Sequence, residues 1–242
     1  MQNKIFLTGD KGIGKSTAIR RAIGWFRENS DLANRVTSGT DDFCMADQFD
    51  LANANDENLY FANCGLKIGG LVTQKMLVKM VNGEYKAGVF ALDLNAGVKR
   101  AYYLFEPKGG TSELPVLPDD CEVVMPGEYG GLHMADPLDS AAREENAESV
   151  FNTKCAGILE SALSCDLIVI DELGPGEEKA ADFLKTVEKV LDSDKKVIGV
   201  LQSCDSEYIS AIKERGDVII LEVTKENRDT IWKEAARSIT EC

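Results

Sequence analysis

Apolar residues follow a repeating pattern near the start of the chain and again in its last third. Short continuous apolar runs predict strands buried on both faces: Lys4–Thr8, Leu167–Ile170, Lys196–Leu201 and Val218–Leu221. Apolar residues at helical spacing predict helices over Thr17–Glu28, Glu178–Leu191 and Ser206–Arg215, and a last helix capped by Thr224 that runs through Ile239. Strands that alternate with helices predict right-handed βαβ units and a mostly parallel sheet.

The middle of the chain has a different pattern. Between residues 67 and 105, short strand-like runs separated by turn residues predict an antiparallel β insertion; the runs are Leu71–Thr73, Met76–Val78, Val89–Leu92 and Ala101–Phe105. The Ala- and Glu-rich stretch 139–163 predicts a further helix. Residues 41–63 are rich in acidic side chains, and residues 106–138 hold five of the six prolines. We interpret both as insertions in a single domain over residues 1–242, with a cation site in 41–63 as the alternative for the first.

Composition narrows the possible partners. The 242 residues carry a net charge of −14, which argues against nucleic acid or an acidic membrane as a partner. No apolar run is long enough for a membrane span, and the first motif lies so near residue 1 that we expect no signal peptide. Seven cysteines without a CxxC pair predict reduced thiols in the cytoplasm. The alternative, a zinc site from Cys44, Cys64, Cys121 and His133, lacks finger-like spacing.

The first motif that carries chemistry is Gly9–Ser16, which matches G-x-x-x-x-G-K-[ST] between a predicted strand and a predicted helix. Gly12 and Gly14 let the backbone curl so that successive amides point inward and bind an anion. The following helix directs its positive end at the same point. Lys15 can then reach the β- and γ-phosphates of a nucleotide, and the Ser16 hydroxyl can bind Mg²⁺. The motif predicts a phosphate-binding loop.

A second candidate site follows the strand Leu167–Ile170. Asp171 and Glu172 come at its carboxyl end, the edge at which open parallel sheets bind ligands. We expect Asp171 to hold Mg²⁺ through water and Glu172 to orient or deprotonate a water against the γ-phosphate. Gln202 or Ser203, which follow the strand Lys196–Leu201, could sense that phosphate if this strand lies between the strand before the phosphate loop and the strand before Asp171. A strand that simply ends in polar residues is the alternative.

Three segments together resemble the nucleoside-triphosphatase family of small P-loop proteins, also called cancer-related or thermophile-type NTPases. They are Gly9–Ser16, Ile170–Glu177 and Val223–Asp229. The second is similar to the family's Asp-Glu-Ile-Gly-Pro-Met-Glu, with Gly176 in place of Met, and the third to its Val-Thr-x-x-Asn-Arg-Asp. Gly70–Thr73 also resembles the family's Gly-Phe-x-Thr segment.

The resemblance implies a RecA-like α/β fold: a P-loop NTPase with a mostly parallel sheet flanked by helices. It also implies Mg²⁺-dependent hydrolysis of ATP, GTP or other nucleoside triphosphates to diphosphates, broad in base. Lys15 and Glu172 would be catalytic, and Ser16 and Asp171 would bind the metal. The nucleotide-binding residues would be Gly9, Asp10, Lys11, Gly12, Ile13, Gly14, Lys15, Ser16, Thr17, Asn227 and Arg228. An ion pair with a nearby acid is the plain alternative for Arg228.

Two other functions stay open at this point. A small-molecule or nucleotide kinase can use the same sheet, but such kinases bring several arginines in a lid to clamp the transferred phosphoryl group. The candidate lid, 106–138, contains Lys108 and no arginine, which favours water as the acceptor. A nucleotide-dependent regulatory protein would use the same binding residues, and the sequence names no protein partner.

Overall fold

The computed structural model describes residues 3–28, 67–79, 83–95, 100–106, 114–117, 121–124 and 147–240. Most of the two expected insertions, 41–63 and 106–138, lies outside the described residues, so their boundaries stay a prediction. The same holds for Cys44, Cys64 and His133 of the alternative zinc site. None of the helices in the described ranges is long and apolar enough to cross a membrane.

Eight strands and five α-helices make up the described fold. The strands are β1 (Lys4–Thr8), β2 (Ile68–Lys79), β3 (Tyr85–Asp93), β4 (Arg100–Phe105), β5 (Glu122–Val124), β6 (Leu167–Leu173), β7 (Lys196–Leu201) and β8 (Val218–Glu222). The helices are α1 (Lys15–Glu28), α2 (Ala156–Ala162), α3 (Ala181–Asp192), α4 (Glu207–Lys213) and α5 (Ile231–Thr240). A π-helical turn, Phe151–Cys155, leads into α2, and a 3₁₀ turn, Pro175–Glu177, lies between β6 and α3.

All eight strands form one sheet in the order β5-β4-β3-β2-β6-β7-β1-β8. The five strands from β2 to β8 in this order are parallel neighbours, while β3 runs antiparallel to both β2 and β4. Strand β7 therefore separates β1, which leads into the phosphate loop, from β6, which carries Asp171 and Glu172. The parallel core agrees with the predicted mostly parallel sheet, and it brings the carboxyl ends of β1, β6 and β7 to one edge of the sheet.

Helices cover both faces of the sheet. On one face, α1 and α5 pack their apolar sides against alternate residues of the central strands, such as Ile5 and Val169. On the other face, the α2 region, α3 and α4 pack against the intervening residues, such as Phe6 and Ile168. All four of these strand residues are fully buried. Burial on both faces explains why these strands read as continuous apolar runs in the sequence.

The β region differs from the antiparallel insertion that the sequence predicts. Residues Leu71–Thr73 and Met76–Val78 belong to one strand, β2, rather than to two. The first part of β2, Ile68–Val72, pairs parallel with β6, and only its pairing with β3 is antiparallel. The polar pair Gln74 and Lys75 interrupts the apolar pattern but does not interrupt the backbone ladder, because pairing depends on the main chain.

Several helix boundaries differ from the predicted ones. Ser206, not Asp205, caps α4, since its hydroxyl accepts a hydrogen bond from the Ile209 amide. Helix α3 begins after the Pro175–Glu177 turn rather than at Glu178. The last helix begins at Ile231, because Thr224 caps a separate turn by accepting a hydrogen bond from the Glu226 amide.

Candidate active site

The Gly9–Ser16 segment forms a tight loop between β1 and α1. Gly9, Gly12 and Gly14 all have positive φ (137°, 76° and 112°), a region that side chains with a Cβ rarely adopt. Gly9 also packs against the backbone carbonyl of Val223, which leaves no room for a Cβ. The glycine positions of the motif are thus required by the backbone path and by close packing.

Lys15 is buried at the start of α1, with its side chain folded over the loop. Its ammonium donates hydrogen bonds to the carbonyl oxygens of Gly9 at 2.8 Å and Asp10 at 2.9 Å. The charge therefore lies at the mouth of the loop, beside the amino end of a helix of 14 residues. A lysine, loop amides and a helix amino terminus at one point favour an anionic group there.

A side-chain hydrogen bond joins the loop to β6. The Ser16 hydroxyl donates to the Asp171 carboxylate at 3.1 Å, although 155 residues separate them in sequence. Asp171 is 2% exposed. Burial, followed by the neighbouring Glu172 charge, raises the pKa of Asp171 to about 6, and the Ser16 hydrogen bond opposes this. The predicted metal-binding pair is therefore in contact across the sheet edge.

Glu172 faces β7 and is held by Gln202. The Gln202 side-chain amide donates to the Glu172 carboxylate at 2.5 Å. Because β7 lies between β1 and β6, the condition set by the sequence for a role of Gln202 or Ser203 is met. The Ser203 hydroxyl instead donates to the Gly9 carbonyl at 3.2 Å. The end of β7 therefore contacts both halves of the site, Glu172 through one side chain and the loop through the next.

The Val223–Asp229 segment follows β8 and borders the loop. The Asn227 side chain accepts from the Thr224 amide and donates to the Glu222 carbonyl, both at 2.8 Å, so it holds this turn in shape. Arg228 is exposed in the turn, and its side chain has no hydrogen-bond or ion-pair partner among the residues that the structure describes. Among the described residues, no acidic side chain forms the ion pair that the alternative interpretation of Arg228 expects.

Two residues behind Glu172 were not singled out by the sequence. Glu177 is 6% exposed, and burial raises its pKa to about 7. Its carboxylate accepts a hydrogen bond from the Gly174 amide at 2.8 Å, and it shares, at 3.4 Å, the single proton that the Tyr208 hydroxyl donates mainly to the Gly174 carbonyl. The sequence signal for Glu177 was its place as the last residue of the segment Ile170–Glu177. The acidic neighbour Glu178 suggests instead that both side chains are exposed to solvent.

The Gly70–Thr73 segment brings β2 against β6. Gly70 has a φ of 124° and packs directly on the Val169 backbone, so only glycine fits there. Val72 is paired with Asp171 in the parallel ladder of β2 and β6. Thr73 and Glu172 are the residues that follow this pair in their strands. The Thr73 hydroxyl is buried and has no hydrogen-bond partner in the described ranges.

Comparison with known proteins identifies the family. A model of the NTPase family matches residues 144–236. The nucleoside-triphosphatase THEP1 of Methanothermobacter thermautotrophicus is 36% identical over 174 residues, which cover 72% of this chain and 79% of that protein. The chain belongs to the nucleoside-triphosphatase THEP1 family. The family resemblance inferred from the three sequence motifs is therefore confirmed.

Other family relatives match over a shorter length. The protein of the same name from Thermotoga maritima is 38% identical over 69 residues, so the chain spans only 40% of its length. In fold, the chain is similar to a human cancer-related nucleoside triphosphatase solved in solution, with a TM-score of 0.51 over 99% of this chain and 98% of that one. The two sequences are 18% identical, so this likeness concerns the fold, and it agrees with the predicted P-loop α/β class.

Proposed function

We propose that the protein hydrolyses nucleoside triphosphates to diphosphates and phosphate, with Mg²⁺ as cofactor and water as acceptor. The hydrogen bond between Ser16 and Asp171 carries this proposal. It joins the phosphate loop to the strand that continues into Glu172, so that groups for binding phosphate, metal and water converge on one edge. Family membership supports the same activity.

The phosphate groups would lie against the loop amides of Gly9–Ser16, with the Lys15 ammonium on the β- and γ-phosphates. The loop amides and the Lys15 ammonium would hold the phosphates in place and stabilise their negative charge, and these two effects are most of what phosphoryl transfer requires. Asp10, Lys11, Ile13 and Thr17 would contribute backbone or side-chain contacts to the same group. We assign Lys15 a catalytic role because its charge meets the charge that develops on the transferred phosphoryl group.

Ser16 and Asp171 would hold the Mg²⁺ ion. In the part of the chain that the structure describes, no three His, Cys, Asp or Glu side chains form a cluster able to hold a metal by themselves. Two oxygen donors suit Mg²⁺, which keeps several waters and takes its remaining ligands from substrate phosphates. When bound, the ion supplies positive charge that neutralises the β- and γ-phosphate oxygens.

Glu172 would orient the attacking water and accept its proton. The carboxylate already accepts a hydrogen bond from Gln202, so its position is fixed from the β7 side. Gln202 would then respond to the γ-phosphate, a role that is supported by the position of β7 between the two motif strands. A general base of this kind contributes about 10²–10⁴-fold to rate.

Asn227 and Arg228 complete the proposed nucleotide site. Asn227 shapes the turn through two backbone hydrogen bonds, and the exposed Arg228 guanidinium is available for the nucleotide. No feature of the described residues selects one base, and we propose broad base use. The cytoplasmic location and the absence of nucleic acid and membrane partners stay predictions.

A phosphate-release assay tests this function directly. The protein would be incubated with ATP, GTP, CTP or UTP, with and without Mg²⁺, and with a panel of nucleosides, nucleotides and small cofactors as acceptors. We expect phosphate release that requires Mg²⁺ and occurs with every base. Stoichiometric phosphorylation of an acceptor would instead show a kinase, and nucleotide binding without turnover in any condition would show a regulatory protein.

A further inference from the structure

A small group of residues lies beside the Glu172–Gln202 pair and is not among the proposed phosphate and metal ligands. It consists of Gly174, Glu177 and Tyr208, which we call the clamp. The Tyr208 hydroxyl donates a hydrogen bond to the Gly174 carbonyl, and the Gly174 amide donates to the Glu177 carboxylate at 2.8 Å. Both polar groups of the Gly174 backbone are therefore fixed by side chains, one from α4 and one from the 3₁₀ turn.

Gly174 in turn supports Gln202. A Cβ on Gly174 would overlap the side-chain amide group of Gln202, so that amide lies against the bare glycine backbone. Gln202 is also held by its main chain, because its N–H donates to the Leu173 carbonyl at 2.8 Å. Packed against Gly174 in this way, the amide donates its hydrogen bond to the Glu172 carboxylate.

We propose that Glu177 and Tyr208 are positioning residues for hydrolysis: they lock the Gly174 backbone beneath Gln202, and Gln202 holds Glu172 at the place where it activates water. This inference rests on the proposed function, since it assigns a task within that reaction. The clamp touches neither the loop nor Asp171 by any hydrogen bond in the described part of the chain, so it acts on turnover and leaves nucleotide binding to other residues.

Gly174→Ala is the sharpest variant. Gly174 has extended backbone angles (φ −151°, ψ −169°) that alanine adopts freely, so the substitution causes no backbone strain. The three atoms nearest to the added Cβ all belong to the end of the flexible Gln202 side chain, which can move aside. We expect a folded protein in which Gln202 no longer holds Glu172, with kcat about 10-fold to 100-fold lower, because small misplacements of catalytic groups have effects of this size.

Gly176→Ala is the matched control. Gly176 lies two residues further along the same turn, and a Cβ there meets no atom within 4 Å. We expect its kcat and KM to equal those of the wild type.

Glu177 provides an independent pair of variants. Glu177→Ala removes the acceptor for the Gly174 amide, so kcat should fall about 10-fold to 100-fold while the affinity for nucleotide stays unchanged. Glu177→Gln keeps an oxygen acceptor of the same length and should restore kcat to about the wild-type value. Glu178→Ala, at the exposed neighbouring acid, is the control for the loss of a negative charge.

The experiment measures steady-state Mg²⁺–ATP hydrolysis, binding of a fluorescent ATP analogue and the melting temperature for all five variants and the wild type. A fall in kcat for Gly174→Ala and Glu177→Ala, with unchanged binding and with rescue by glutamine, supports the clamp. Wild-type kcat in Gly174→Ala overturns it, even if Glu177→Ala fails to fold. A wild-type protein that hydrolyses no triphosphate would refute the proposed function instead, so the two failures are distinguishable.

Discussion

Glu177→Gln should make the protein more stable at neutral pH, and increasingly so as the pH rises. In the folded protein, burial raises the pKa of Glu177 from 4.5 to about 7. Between these values the unfolded chain has lost the proton and the folded protein keeps it, so the stability of the wild type falls as the pH rises. Glutamine preserves the acceptor for the Gly174 amide and has no proton to lose.

The magnitude follows from the two pKa values. Their difference of about 2.5 pH units corresponds to about 3 kcal/mol at about 1.4 kcal/mol per unit. The wild type should lose about 2 kcal/mol of this unfolding free energy between about pH 5.5 and pH 8, the range over which the carboxyl in the folded protein ionises. The glutamine variant should therefore gain about 2 kcal/mol relative to the wild type over that window. The loss in the wild type should level off above about pH 8.

Urea unfolding followed by far-ultraviolet circular dichroism at several pH values would measure this difference. Every other titratable group, including Asp171, is common to both proteins and cancels in the comparison. A difference between the two stability curves that does not change with pH would refute a raised pKa for Glu177. A difference that shrinks as the pH rises would show that hydrogen bonds from Gly174 and Tyr208 favour the ionised carboxylate over the protonated one.

Three further substitutions test the site and the core. Lys15→Ala should abolish productive triphosphate binding, because charge-assisted contacts in an amide nest are strong; titration with a fluorescent ATP analogue checks this, with the exposed Lys185→Ala as the control. Asp171→Asn should weaken both binding and the Mg²⁺ dependence of turnover, seen as a shift of the Mg²⁺ titration to higher concentration, and an unchanged titration would exclude Asp171 as a ligand. Phe183→Ala, at a fully buried position, should lower the free energy of unfolding by about 3–5 kcal/mol in urea, and a loss below about 1 kcal/mol would contradict tight packing there.

The position of the candidate site residues at the sheet edge could be predicted from the sequence because it is encoded locally. The loop glycines, Lys15 and Ser16 have fixed spacing, and the backbone they require depends on few distant contacts. Asp171 and Glu172 could be placed because an apolar run ends where they begin, near the carboxyl end of β6, and parallel strands present that end to ligands. The order of β1, β7 and β6 was left as a condition, because right-handed βαβ connections do not by themselves decide which strands are neighbours, and the structure supplies it.

The clamp and the course of β2 could not be read in the same way. Tyr208 and Glu177 are 31 residues apart, and their meeting depends on how α4 packs beside the turn after β6. A glutamate next to another acid is usually solvated, so burial of Glu177 has no local signal. In β2, the polar Gln74 and Lys75 separate the two apolar runs in the sequence, whereas the strand continues through them because its pairing with β3 runs unbroken from Leu71 to Lys79.

Single-turnover hydrolysis of Mg²⁺–ATP by Glu172→Gln tests most directly whether the edge of this sheet hydrolyses triphosphates. Glutamine keeps the shape of the side chain and its contact with Gln202 but cannot accept a proton from water. We expect nucleotide binding equal to the wild type and phosphate release slower by about 10²-fold or more. Turnover at the wild-type rate in this variant, with loss of turnover in Asp171→Asn, would show that Asp171 performs both tasks and that the assignment of Glu172 is wrong.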